Sequence, residues 1–153
     1  PQGQTPVVKK KLTRDHLSVM AGLAPAGKLY TLVRRESLSS SESVVFLKHL
    51  LVQTGKKLLL IWDGSPIHRG GAVREFLAEE GAKRIHVEAL PGYAPDLSPL
   101  DRGCWRHLKD VEMANLSCMD MEELHLEFDL AVGRLRQKPQ LIRSFFAAAG
   151  LAL

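Results

Sequence analysis

Five apolar residues in succession, Leu58-Leu59-Leu60-Ile61-Trp62, run straight into Asp63. This run constrains the fold more than any other feature, because continuous apolar character predicts a central strand covered on both faces. Asp63 then stands where such a strand ends. A second carboxylate, Asp101, closes the turn-rich string Leu90-Pro91-Gly92-Tyr93-Ala94-Pro95-Asp96-Leu97-Ser98-Pro99-Leu100-Asp101. One helix and one short strand fit between the two acids, an order that can bring them together at one sheet edge. Paired carboxylates in such a place are what a hard divalent cation requires.

The flanking sequence fills in an α/β pattern. Residues 1–13 are polar and basic, with the triplet Lys9-Lys10-Lys11, and read as an extended opening segment. Residues 16–24 and 28–34 alternate around the turn Pro25-Ala26-Gly27, which predicts an antiparallel hairpin. Its second strand puts Leu29, Thr31 and Val33 on one side and Tyr30 and Leu32 on the other. Ser39 followed by Glu42 is a capping box that opens a helix with Val44, Leu47, Leu50 and Leu51 on one face, ending at Gly55. A helix over about 71–80 carries Val73, Phe76 and Leu77, and residues 84–89 read as a strand.

A helix over about 99–110 then begins beside Asp101. Asp120 caps a further helix bearing Met121, Leu124, Phe128 and Leu135, which Pro139 interrupts. A last helix carries Leu141, Ile142, Phe145 and Phe146 and stops at Gly150. The order points to a mixed sheet with flanking helices, the hairpin on one side of the 58–62 strand and the 84–88 strand on the other.

The length of 153 residues sets a prior of one domain. It divides into a core at 1–110 and a helical extension of the same domain at 111–153. A net charge of +4 and a pI near 9.3 are compatible with nucleic acid without requiring it. Cys104 and Cys118 form no metal-ligand motif and read as structural thiols, and the six histidines lack zinc-site spacing. No stretch approaches the ~18 apolar residues of a membrane span, and no signal peptide opens the chain. A cytoplasmic location is the default expectation.

The strand ending Ile61-Trp62-Asp63, with His68 five residues on, resembles the second catalytic block of mariner-type transposases and their bacterial insertion-sequence relatives. The Leu90–Asp101 string, followed by Trp105 and Lys109, resembles their third block, and Pro1-Gln2-Gly3-Gln4-Thr5-Pro6 resembles the segment after their first catalytic strand. The likeness spans roughly residues 1–110. It implies a ribonuclease-H-like catalytic domain in which three carboxylates hold two divalent ions, Mg²⁺ or Mn²⁺. Asp63 matches the second carboxylate and Asp101 the third. The first lies upstream of the segment matching Pro1, so the resemblance implies a fragment missing its first strand and first carboxylate. Asp15 is no substitute.

The same resemblance implies metal-dependent cutting and joining of insertion-sequence DNA, with transposon ends and target DNA as partners. It leaves a homodimer open. With two of three acids, the chain alone is expected not to cut DNA. Its DNA-contacting candidates are His68, Arg69, Arg102, Arg106 and Lys109, with Lys9, Lys10, Lys11 and Arg74 as further basic residues.

Blander readings stand beside these. Asp63-Gly64-Ser65-Pro66 is good turn chemistry, and Asp101 suits the first turn of any helix. Asp96 competes with Asp101, and a one-residue slip would put Arg102 at the metal position. His68 suits a contact with DNA, a contact with a carboxylate lying behind the metal ligands, or a plain surface or capping role. Trp105 and Tyr93 read as packing residues, and Arg134, Arg136 and Lys138 as compensation of a helix dipole. At the level of the whole protein the rivals are a non-catalytic transposase remnant and another ribonuclease-H-like nuclease.

Overall fold

A computed structural model describes residues 16–151. The segment matching Pro1–Pro6, the Lys9–Lys11 triplet and Asp15 lie outside the described residues. The hairpin forms as the alternation predicts. Strand β1 (Ser18–Ala24) pairs antiparallel with β2 (Lys28–Arg34), from Ser18 opposite Arg34 to Ala24 opposite Lys28. Its two faces part as expected: Leu29 and Val33 join one core, Tyr30 and Leu32 the other.

Helix α1 (Ser40–Thr54) starts at the Ser39–Glu42 capping box and ends at Gly55, whose φ of 62° is the left-handed conformation glycine tolerates. Strand β3 (Leu58–Trp62) follows. Next come a four-residue helix α2 (Pro66–Arg69), then α3 (Gly71–Ala78) and strand β4 (Ile85–Ala89). β4 pairs in parallel with β3, Leu58 opposite Ile85 and Trp62 opposite Ala89. Leu58, Leu60, Trp62, Ile85 and Val87 point toward α1, where Phe46, Leu47, Leu50 and Leu51 are buried. Burial of that kind stabilises by about 1.5–3 kcal/mol per large apolar side chain.

Among the described residues the strands form two two-stranded sheets, one antiparallel and one parallel. The hairpin therefore does not hydrogen-bond to β3, and β3 is not covered on both faces. Leu59 is 65% exposed and Ile61 54%. The reason is physical: β4 is the only strand paired with β3 among the described residues, and the helices that meet it lie on the Leu58–Leu60–Trp62 face.

Residues 100–112 form one continuous helical stretch, with π-helical turns Leu100–Cys104 and Leu108–Glu112 around a short α4 (Trp105–His107). Helices α5 (Met121–Arg136, capped by Asp120) and α6 (Pro139–Ala148) complete the chain. They pack with the 100–112 stretch on the second face of the hairpin, around Leu108, Leu135 and Ile142. Cys104 and Cys118 are free thiols. Burial pushes the Cys104 thiol up to about 12, so it stays protonated. No helix among the described residues is long and apolar enough to cross a membrane.

Candidate metal and nucleic-acid site

β3 and β4 run in parallel, so both end at the same side of their sheet. Asp63 follows the end of β3, and the loop leading to Asp101 follows the end of β4. The Leu90 amide donates to the Trp62 carbonyl at 2.8 Å, which starts that loop directly beside Asp63. The two acid-bearing segments thus leave one sheet end, as side chains that gather at a site do in parallel α/β arrangements.

Asp63 sits in a tight local turn. Its Oδ1 accepts the Ser65 amide at 2.9 Å, an Asx-type turn. His68 Nε2 lies 3.5 Å from the same oxygen. The His68 ring stacks on Trp62, with centroids 4.3 Å apart and planes 14° apart, and its side chain is only 13% exposed. Burial lowers the His68 pKa, opposed by the nearby Asp63 charge. Helix α2, with Pro66 in its first turn, presents His68 back toward Asp63. Two contacts fasten this turn to α1. The buried Ser43 hydroxyl donates to the Ile67 carbonyl at 2.9 Å, and Gly70 packs so closely on Ser40 that a Cβ there would collide with it.

Asp101 is held differently. Buried Ser98 caps its helix, accepting the Asp101 amide on Oγ at 3.3 Å and the Arg102 amide on its carbonyl at 2.8 Å. Gly103 lies against the ring of Phe145 on α6, closer than any side chain would permit. At the far end of the stretch, Glu112 accepts Arg134 Nε at 2.7 Å, Lys138 Nζ at 2.8 Å and pairs with His107 at 3.1 Å. Lys138 and then Arg134 pull the Glu112 carboxyl down to about 2.

The remaining candidates divide. Asp96 is engaged by Arg102 Nη1 at 2.8 Å, which makes it a loop-shaping residue and leaves Asp101 exposed at the helix start. Arg106 meets Asp110 at 3.6 Å along its own helix. Arg69 and Lys109 are exposed and have no acidic partner among the described residues. Arg74 is exposed as well. Trp105 packs against the core as read from the sequence, but Tyr93 does not: it is fully exposed, in a loop where its φ is 54°. Arg134, Arg136 and Lys138 are more than dipole compensation. Two of them grip Glu112, and Arg136 Nε donates to the Leu29 carbonyl at 3.0 Å. Sequence reading missed Glu112 and α2. Only Pro66 after Ser65 hinted at the second.

Two exposed carboxylates offer hard oxygen donors, which suits Mg²⁺ or Mn²⁺ better than a soft metal. Among the described residues, no three His, Cys, Asp or Glu side chains gather into a metal-binding group. Any ion held by Asp63 and Asp101 therefore takes its other ligands elsewhere, from water, substrate or further protein.

Comparison with known proteins sharpens the reading. The family description "DDE superfamily endonuclease" matches residues 1–125. Among solved structures, the chain is similar to the Mos1 strand transfer complex, with a TM-score of 0.63 and 18% identity, covering 100% of this chain and 49% of that one. It is similar to the catalytic domain of Mos1 mariner transposase, with a TM-score of 0.56 and 19% identity, covering 88% and 74%. A Mos1 mariner paired-end complex with Mn matches with a TM-score of 0.63 and 18% identity, covering 98% and 49%. At these identities the likeness shows a shared fold, and the chain spans about half the length of the Mos1 chains in the two complexes. No curated protein matches the sequence.

Proposed function

The chain belongs to the DDE superfamily endonuclease family, and from that premise we propose that it is catalytic-domain sequence of a DNA transposase of the mariner and insertion-sequence kind. The observation that carries this is the departure of the Asp63 and Asp101 segments from one end of the β3–β4 pair. Asp63 and Asp101 would hold the divalent metal, two ions of Mg²⁺ or Mn²⁺ with a further carboxylate. Bound there, such ions supply Lewis acidity and charge neutralisation for in-line phosphoryl transfer.

The chain's own residues do the rest. Asp63, fixed by its turn, offers an oriented carboxylate. Arg69 and Lys109, without acidic partners among the described residues, attract the phosphate backbone, and Arg102 and Arg106 flank the same helix. Transposon ends and target DNA are the partners this reading names, in the cytoplasm and with a homodimer as a compatible arrangement. In this reading the 111–153 segment is part of the same domain, which the core that α5 and α6 share with the hairpin supports.

The test is a strand-cleavage and joining assay on transposon-end DNA with Mg²⁺ or Mn²⁺. It uses the chain alone and a polypeptide extended upstream by a strand ending in Asp. The extended protein should cut, the chain alone should not, and Asp63→Ala or Asp101→Ala should each abolish cutting. Cutting that survives Asp63→Ala overturns the proposal.

A further inference from the structure

His68 Nδ1 is buried with no hydrogen-bond partner among the described residues. Such an atom in a folded protein calls for an explanation. A buried N–H without an acceptor is the costlier orphan, so the ring's proton belongs on the nitrogen that faces one. Nε2 faces Asp63 Oδ1. A doubly protonated ring would bury an N–H at Nδ1 with nothing to receive it. The stack on Trp62 fixes the plane of the ring, and the His68 amide, donating to the Ser65 carbonyl at 2.9 Å, fixes where the ring starts.

Both contacts on the Asp63 carboxylate fall on one oxygen. The Ser65 amide and His68 Nε2 approach Oδ1, and among the described residues Oδ2 has no partner. At 2.9 Å the amide is the firm anchor. At 3.5 Å the imidazole is a longer contact that restrains rotation of the carboxyl group. We propose that His68 is a positioning residue: held on Trp62 as the Nε2–H tautomer, it keeps Asp63 Oδ1 turned inward and presents Oδ2 to the cation. This rests on the reading of Asp63 as a metal ligand. Polar contacts behind a metal-binding carboxylate help set its orientation and support metal binding.

The test uses the whole chain and three variants: His68→Phe, which keeps the stack, His68→Gln, which restores an N–H donor, and Asp63→Asn. Three NMR readouts apply. The ¹⁵N shifts of the His68 ring should report Nε2–H. Hα–Hβ couplings of Asp63 should report one rotamer in the wild type and averaging in His68→Phe, with Gln recovering order. Broadening of the Gly64 and Ser65 amides by Mn²⁺ should require about tenfold more Mn²⁺ in His68→Phe, at a melting temperature close to wild type, and be lost in Asp63→Asn. An Nδ1–H tautomer, or an Asp63 rotamer unmoved by His68→Phe, overturns the role of His68. Broadening lost in Asp63→Asn but unchanged in His68→Phe overturns it too. Broadening that survives Asp63→Asn overturns the metal reading of Asp63 itself.

Discussion

The Asp63 carboxylate is held by its neighbours in sequence, whereas the helix bearing Asp101, capped locally by Ser98, is seated by residues far along the chain. The contacts on Asp63 come from Ser65 and His68, within five positions. The helix bearing Asp101 depends on Phe145 beneath Gly103 and on the grip of Arg134 and Lys138 on Glu112, 22 and 26 residues away. Each acid is therefore vulnerable in a different place. A change in α6 leaves the Asp63 turn standing and shifts the base on which Asp101 rests. A change at His68 does the reverse.

The largest expected break in this contrast is Phe145→Ala. Removing a buried aromatic costs about 3–5 kcal/mol, which for a chain of this size lowers the melting temperature on the order of 10 °C. Amide shifts should move through residues 100–112, while those of 63–68 stay near their wild-type positions in the folded fraction. Shifts that spread equally to both segments would deny the contrast. Gly103→Ala comes next. The added methyl meets the Phe145 ring, and overpacking of this kind costs about 1–3 kcal/mol, readable in denaturant unfolding. An unchanged midpoint would mean that the approach is looser than it stands.

Acid sharpens the same point. Glu112 has its carboxyl pulled from an ordinary 4.5 to about 2 by Lys138 and Arg134. A folded pKa below the unfolded one contributes stability that is complete above the unfolded value and is lost as pH falls through the folded value. The window is therefore about pH 4.5 down to about 2. Thermal melts should fall across it, and Glu112→Gln should flatten that part of the curve while lowering stability at neutral pH. A variant with the wild-type acid slope would remove Glu112 as the cause.

The smallest effect belongs to Arg102→Ala. The Arg102–Asp96 pair is exposed, and such pairs contribute about 0–1 kcal/mol. Stability should barely change, while DNA affinity should weaken with a salt slope reduced by about one. A large loss of stability would make the pair structural rather than a DNA contact.

These residues also mark how far the sequence can be read. The hairpin faces and the Ser39–Glu42 cap were legible because alternation and capping are local chemistry. So was the turn at Asp63, since Asp-Gly-Ser-Pro carries its own geometry. The burial of β3 was not, because an apolar run says nothing of which face finds a covering layer, and Leu59 and Ile61 found none. Glu112 was invisible for the same reason: a charge on a helix looks solvated until a later helix brings cations over it. The placement of His68 lay between these limits. Its spacing from Asp63 was legible, but its burial on Trp62 was not.

The most direct test of the central claim, that Asp63 and Asp101 together hold a divalent cation, is an anomalous difference map from crystals grown with Mn²⁺. A peak bound by Asp63 Oδ2 and the Asp101 carboxylate is expected, with Asp63 Oδ1 still on the Ser65 amide. A map with no ion between the two acids, or with their carboxylates on opposite faces of the molecule, would contradict it.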